Sequence, residues 1–502
     1  MTGSEQGWRD LALGLALAWR HAEVAWGPAE RALEPAFAAM RAIEAGSVAN
    51  VDERRMVGHY WLRAPERAPA GLGAEIVRVR ELCRDIASAA HREQKYRTVL
   101  LLGIGGSALG PQLVADALGE PEEPMRVICV DNTDPDGLAR VLGPLDLDET
   151  LVVCVSKSGA TPETRNALVE TRAAFARAEV PFPPNAVAVT GEGSRLWDDA
   201  EHWRARVPMW DWVGGRTSLF SGVGLLPMFL QGIDADAMLA GAAHVDQHTR
   251  QGSLAANPAA RLAWAWFHLS GGKNQRAMVV LPYRDRLVLF SKYLQQLVME
   301  SLGKTLDRQG NVVRSGLTVF GNKGSTDQHA YVQQLRDGPD DHFVTFVVAQ
   351  DDGYHGQVEV EAGVNCGDYL QGLYLGTRQA LRDAGHPSLT ITLSTVDAYR
   401  LGALVALYER AVGLYAELVN VNAYHQPGVE AGKRAAAAVI AMKAPLLAAL
   451  DEKPRDVGEL CGRAGVGDEA AAHALLWRLS VNGSGVVVTP GTHPSADRFA
   501  RA

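Results

Sequence analysis

Val99-Leu100-Leu101-Leu102-Gly103-Ile104-Gly105-Gly106-Ser107 sets an unbroken apolar run directly against a glycine turn, and the residues after it read as the start of a helix. Further along, Leu151-Val152-Val153-Cys154-Val155 leads in the same way into Ser156-Lys157-Ser158-Gly159-Ala160-Thr161 and another helix start. A buried strand, a tight turn and a helix start together present free backbone N–H groups, which favour an anion. The hydroxyls of the second turn add donors without adding charge, so the pair suits a phosphomonoester better than a nucleoside triphosphate. Neither turn closes on the Gly-Lys-Ser/Thr of a P-loop, and Ala108 stands where a dinucleotide fingerprint needs its third glycine.

Outward from these turns the pattern is regular. Apolar runs near 99–102, 126–130, 151–155 and 186–190 alternate with amphipathic helices, the signature of a parallel sheet buried on both faces. Ligands of such sheets bind beyond the carboxyl ends of the strands, where both turns fall. A second series follows: Met278-Val279-Val280-Leu281, Leu317-Thr318-Val319-Phe320, 343–348 and 389–393, with helices near 286–303, 327–337, 367–384 and 397–418. Residues from about 8 to 95 carry apolar positions at helical spacing, and no short-period repeat interrupts the chain. The last stretch reads as helix 435–450, helix 455–463, Gly465, helix 468–481 and a strand at Val486-Val487-Val488, the order of a winged helix. The expected fold class is α/β, with a helical N-terminal segment over 1–95, doubly wound parallel-sheet domains over 96–255 and 256–434, and a small winged-helix-like appendage over 435–502. Basic and acidic residues nearly balance in that appendage, so packing or oligomerisation is expected of it rather than DNA binding.

With 502 residues and 47% hydrophobic content the chain can bury large cores. Its 49 Lys+Arg against 58 Asp+Glu leave a net charge of -9, which argues against a nucleic-acid or membrane-surface protein. The five cysteines (Cys83, Cys129, Cys154, Cys366, Cys461) form no C-x-x-C pair, which fits a reducing compartment. Glu5, Arg9, Arg20 and His21 interrupt the N-terminal apolar run, so neither a signal peptide nor a membrane span is expected, and the expected location is the cytoplasm.

Four further segments hold polar groups capable of chemistry. They are Gly214-Gly215-Arg216-Thr217-Ser218, Met299-Glu300-Ser301-Leu302-Gly303-Lys304, Gly324-Ser325-Thr326-Asp327-Gln328-His329, and the run from Asn422 to Lys433. Taken singly, each reads as readily as a helix end or a surface turn. Their order changes that. From about residue 99 to 434 the chain resembles the glucose-6-phosphate isomerase family, of the sugar-isomerase (SIS) fold. Gly103 to Pro111 matches G-I-G-G-S-x-L-G-P, Ser156 to Thr164 matches S-K-[TS]-x-x-T-x-E-T, and Gly214 to Pro227 matches G-G-R-x-S…G-L-L-P. Gln328-His329 matches the family's Q-H segment, and Gln426 to Lys433 matches Q-x-G-V-E-x-G-K.

The resemblance implies an aldose–ketose isomerase acting on D-glucose 6-phosphate and D-fructose 6-phosphate, with neither cofactor nor metal. Ser107, Ser156, Lys157, Ser158 and Thr161 would bind the sugar phosphate, with Gly106 and Gln426 holding the phosphate loop or hydroxyls in register. His329 and Lys433 would move protons in ring opening, Glu300 would shuttle the proton between C2 and C1, and Arg216 would stabilise the enediolate. The resemblance further implies a homodimer in which His329 reaches into the neighbouring subunit's site. No His/Cys/carboxylate cluster in the sequence suggests a metal. Two departures stand out: Leu302 replaces the asparagine of E-S-N-G-K, and His425 replaces the aspartate of F-D-Q. Two other readings stay open. A non-catalytic phosphosugar sensor would need the hydroxyl-rich loops but not Glu300, His329 and Lys433 together. An isomerase of another phosphosugar, such as mannose 6-phosphate, would share every motif.

Overall fold

The computed structural model describes residues 7–502, apart from the side chains of 429–431. The chain divides at 425/426 into two compact units. The larger holds two sheets. Its first sheet is wholly parallel, in the order Arg126–Val130, Thr98–Leu102, Thr150–Val155, Ala186–Thr190, Ala205–Pro208. Alternate side chains point to opposite faces of a strand. Thus Val99, Leu101, Val153 and Val187 pack on the face covered by the helices Leu72–Glu93 and Gly222–Gln231. Leu100, Leu102, Val152 and Ala188 pack on the other face, with the helix Pro162–Arg177. Both faces of the central strands are dry, which is why Val99–Leu102 and Leu151–Val155 are apolar at every position.

The second sheet runs Gly7–Asp10, Leu15–His21, Ser388–Leu393, His342–Ala349, Ala277–Pro282, Val319–Phe320. Its last four strands are parallel, whereas the first two form a hairpin that joins antiparallel, with Leu17 opposite Ile391. This corrects two expectations. Residues 7–21 are not helical, and the second sheet is mixed rather than purely parallel. Leu15, Leu17 and Trp19 are buried while Ala18 and Arg20 face out, a period of two imposed by pairing with the strand 388–393. The helical expectation holds for Ala29–Glu44 and Leu72–Glu93.

One core cluster runs from Leu13 in the hairpin, through the helices Pro258–Ser270 and Ala398–Leu418, to Ala423. That shared core joins the segments 7–95, 96–255 and 256–425 into a single unit, where separate domains were expected. The expected boundary at 434/435 falls instead at 425/426, because Pro427–Ala441 is one unbroken helix with proline at its start. The smaller unit continues with helix Lys443–Ala449, strand Arg455–Asp456, helices Val457–Ala464 and Glu469–Val481, and the hairpin of Val486–Thr489 with Arg498–Arg501. This is the winged-helix order, closed over a core that includes Leu446, Leu460, Leu476 and Phe499.

Candidate active site at the switch point of the first sheet

The chain leaves strand Thr98–Leu102 toward one edge of the first sheet and strand Thr150–Val155 toward the other. Connections that diverge from neighbouring strands open a crevice at their carboxyl ends. The two turns singled out in the sequence are the walls of that crevice. Gly105 takes a positive φ of 58°, and the helix Leu109–Leu118 follows. In the other turn Gly159 has a φ of 65°, and Pro162 starts the helix Pro162–Arg177. Ser156 is buried, and its hydroxyl donates to Thr161 Oγ1 at 3.4 Å. Ser158 is exposed and accepts from Ala160 N at 3.2 Å, while Ser107 is half-buried. Lys157 Nζ donates to the carbonyls of Asp211 (2.8 Å) and Val213 (3.0 Å), so it ties the turn to the segment leading to Arg216. Burial, with Arg55 nearby, lowers the Lys157 ammonium to about 8.

Gly106 explains how Arg216 reaches this crevice. A Cβ on Gly106 would lie 2.0 Å from Gly215 O and 2.8 Å from Arg216 N. Only glycine lets the loops 103–107 and 214–218 touch backbone to backbone. Ser218 Oγ clasps them by donating to Gly106 O (3.2 Å) and Gly215 O (2.7 Å). Arg216 is thereby buried, with Nη2 donating to the carbonyls of Ala423 (2.8 Å) and His425 (2.9 Å). Its Nη1 faces Glu300 Oε2 at 3.1 Å. Burial pulls the guanidinium below its usual value, and Glu300 opposes that shift.

Glu300 comes from the other sheet's half of the unit. The helical run after strand Ala277–Pro282 changes to π geometry over Gln295–Glu300, a widened turn that recurs at functional sites and here aims Glu300 at Arg216. Glu300 Oε2 is buried, and no donor among the described residues makes an aligned hydrogen bond to it. Its approach to Arg216 is thus an ion pair, which leaves a lone pair able to take a proton.

One residue of this centre carried no role in the sequence reading. Lys304 is buried, and its Nζ donates to Glu300 O at 2.6 Å. Burial and the neighbouring Arg216 lower its ammonium to about 7, against the pull of Glu300 and Asp52. Its only signal was its place at the close of the Glu300 motif. The two departures also resolve here. Leu302 is fully buried in the main core, and the motif's lysine, Lys304, makes its polar contact with the Glu300 backbone carbonyl. His425 Nε2 lies 3.7 Å from Asp52 Oδ2, so a carboxylate stands beside that segment after all, supplied by the loop 50–55. Asn50 Nδ2 donates to Tyr424 O at 3.2 Å, and Asn422 Nδ2 donates to Asp52 Oδ2 at 2.5 Å, bracing the segment 422–425 whose other carbonyls hold Arg216.

Three further expected residues belong to other elements of the chain. His329 is exposed at the end of the turn Thr326–His329, beyond the edge strand of the second sheet, and makes no side-chain hydrogen bond or ion pair among the described residues. Gln328 anchors that turn by donating to Thr377 and to Leu373 O. Gln426 and Lys433 are exposed at the start and on the body of the helix Pro427–Ala441, in the smaller unit.

Two α/β sheets, with glycine- and hydroxyl-rich turns at the switch point of the first, define a protein of the sugar-isomerase fold class. The family model for phosphoglucose isomerase matches residues 30–361 and 377–447, and the chain belongs to that family. A protein of Geobacter sp. (strain M21) named glucose-6-phosphate isomerase is 55% identical over 437 residues, 85% of this chain and 82% of its own. One of the same name from Synechococcus sp. (strain JA-3-3Ab) is 57% identical over 435 residues, covering 83% of this chain and 81% of its own. Among solved structures, a glucose-6-phosphate isomerase from Chlamydia trachomatis D/UW-3/Cx superposes with a TM-score of 0.79 at 25% identity, over 88% of this chain and 90% of its own.

Proposed function

We propose that the protein interconverts D-glucose 6-phosphate and D-fructose 6-phosphate by ring opening followed by proton transfer through a cis-enediol(ate). The observation that carries this reading is the buried Arg216–Glu300 pair, 3.1 Å apart, beside the hydroxyl-rich crevice of the first sheet. Ser107, Ser156, Lys157, Ser158 and Thr161 hold the phosphate. Gly106 keeps the loop in register, and Gln426 takes a sugar hydroxyl. Binding at the remote phosphate orients C1 and C2, so that its energy is used at the reacting carbons.

Glu300 removes the C2 proton and returns it at C1, which one carboxylate can do because the carbons are adjacent. Arg216 offers its fixed positive charge to the enediolate oxygens as negative charge develops there. Lys304, through the Glu300 carbonyl, holds the carboxylate's turn in place. His329 and Lys433 move protons between the ring oxygen and the anomeric hydroxyl during opening. The exposure of His329 supports a homodimer in which it serves the neighbouring subunit's site. A charged sugar phosphate as substrate and an acidic chain support a cytoplasmic location. No helix among the described residues is long and apolar enough to cross a membrane.

The test is a coupled assay with glucose 6-phosphate and mannose 6-phosphate side by side, run in tritiated water. Turnover of glucose 6-phosphate with solvent label entering the product is expected. Binding without turnover would favour a sensor, and preference for mannose 6-phosphate would move the assignment to another isomerase.

A further inference from the structure

Outside this centre, the fold gathers Asp10, His244 and His248, whose candidate ligand atoms all lie within 4.8 Å of one another. We propose that these three side chains form a site for one divalent transition-metal ion, typified by Zn²⁺, that clasps the N-terminal hairpin to the helix Ala235–Thr249. Nothing in the phosphoglucose isomerase reaction uses the site.

Four observations carry it. First, His244 and His248 are four residues apart on that fifteen-residue helix, so both imidazoles project from one face. Second, Asp10 enters from the end of the strand Gly7–Asp10, and its Oδ2 lies 2.7 Å from His248 Nε2 and 3.4 Å from His244 Nε2. Tetrahedral zinc with ligand bonds of about 2.0–2.1 Å sets neighbouring ligand atoms roughly 3.3 Å apart. One contact already fits, and the other needs to open by only about 0.6 Å.

Third, the outer atoms are braced as metal ligands usually are. Asp10 Oδ1 accepts from Leu13 N at 2.8 Å, and His244 Nδ1 meets Tyr399 Oη at 2.5 Å. On metal binding the His244 ring proton resides on Nδ1 and is donated to Tyr399 Oη, which leaves the Nε2 lone pair for the ion. Fourth, two neutral imidazoles and one carboxylate sum to a single negative charge, and no lysine or arginine pairs with Asp10 among the described residues. The ligands are half-buried, which leaves a path for entry and room for water as a fourth ligand. The cluster is not legible in the sequence, because Asp10 lies far from the histidines and meets them through the hairpin.

The experiment uses the full-length protein, stripped of metal with a chelator. All samples carry Cys366→Ser, because Cys366 is an exposed thiol that can take metal by itself. Titration with Co²⁺, followed by its visible d–d absorption, is expected to show one ion per chain in tetrahedral geometry, and Zn²⁺ is expected to displace it. Zn²⁺ is further expected to raise the melting temperature in a concentration-dependent way. His248→Gln and Asp10→Asn should abolish the absorption band. Tyr399→Phe, which keeps all three ligands, should weaken binding by roughly 10-fold or more. Circular dichroism in chelator establishes that each variant is folded. Absence of the band in the parent protein, or its persistence in both folded ligand variants, would overturn the site and leave the contact a plain histidine–aspartate hydrogen bond.

Discussion

Replacing Lys304 by methionine separates what a buried charge does for the fold from what it does for the reaction. Methionine keeps the length and apolar body of the side chain and deletes the ammonium. Lowering that ammonium from 10.5 to about 7 means that the folded protein disfavours the charged form by about 5 kcal/mol, at 1.36 kcal/mol per unit. The hydrogen bond it donates to Glu300 O, about 1.5–3 kcal/mol for a charged donor, is already contained in that net cost. Below pH 7 the residue is therefore a net burden on stability, and Lys304→Met should melt at or above the wild-type temperature at pH 6. The sign with pH follows from the lowered folded value. Between about 7 and 10.5 the unfolded chain binds more protons at this residue than the folded one, so wild-type stability rises with pH across that window. The variant lacks this rise, and its advantage should shrink from pH 6 to pH 9. Activity should move the other way. Without the tether on its carbonyl, the π turn that carries Glu300 relaxes, and a displacement near 1 Å costs about 10²-fold in rate. Calorimetric melts at the two pH values, paired with kcat from the coupled isomerase assay, measure both. A variant with wild-type kcat would refute the positioning role, and one that loses activity only in step with its melting temperature would reduce Lys304 to a structural residue.

Glu300→Gln should lower kcat by about 10²–10⁴-fold while phosphosugar affinity stays near wild type, because the turns proposed to hold the phosphate belong to the first sheet. Retention of more than about a tenth of the turnover would remove Glu300 as the base. Gly106→Ala places a methyl 2.0 Å from Gly215 O, so the loop carrying Arg216 must shift. Steady-state kinetics should show kcat falling and KM rising together, with circular dichroism unchanged; wild-type values would show that the loops do not need their contact. His329→Ala and Lys433→Ala proteins, each nearly inactive alone, should regain roughly a quarter of wild-type activity when unfolded and refolded together, since random pairing makes about half the dimers mixed, each with one intact site. No recovery, with mixed dimers confirmed by mass spectrometry, would place His329 in its own subunit's site.

What the sequence made legible was local. The apolar run Val99 to Leu102 and the run Leu151 to Val155 are strands because every residue in them is apolar, and the turns that follow are read directly from glycine and serine. Leu15 to Trp19 misled because alternating leucine and alanine suits a helix as well as a half-buried strand. Pairing with the distant strand 388–393 decided between them. The widened turn at Gln295–Glu300 has no signature in residue type, and the loop 50–55 braces Arg216 only through contacts with Asn422 and Tyr424, more than 300 positions on. Lys304 looked like an ordinary lysine near a helix end. Its burial depends on how the two sheets meet, which no stretch of sequence contains.

The edge position of the hairpin imposes an order on synthesis. The five strands of the first sheet are complete once residue 208 has left the ribosome, but the strand Leu15–His21, paired on one side within its hairpin, has no partner for its other edge until Leu393 exists. At about 5–20 residues per second, roughly 380 residues take about 20–75 s to make. Throughout that interval Leu15, Leu17 and Trp19 form an apolar strand with one edge unpaired, the kind of surface that joins neighbouring nascent chains. The hairpin over 7–21, made long before its partner strand, is thus among the last elements to find its place, and the nascent chain is most exposed to aggregation at the strand that has waited longest.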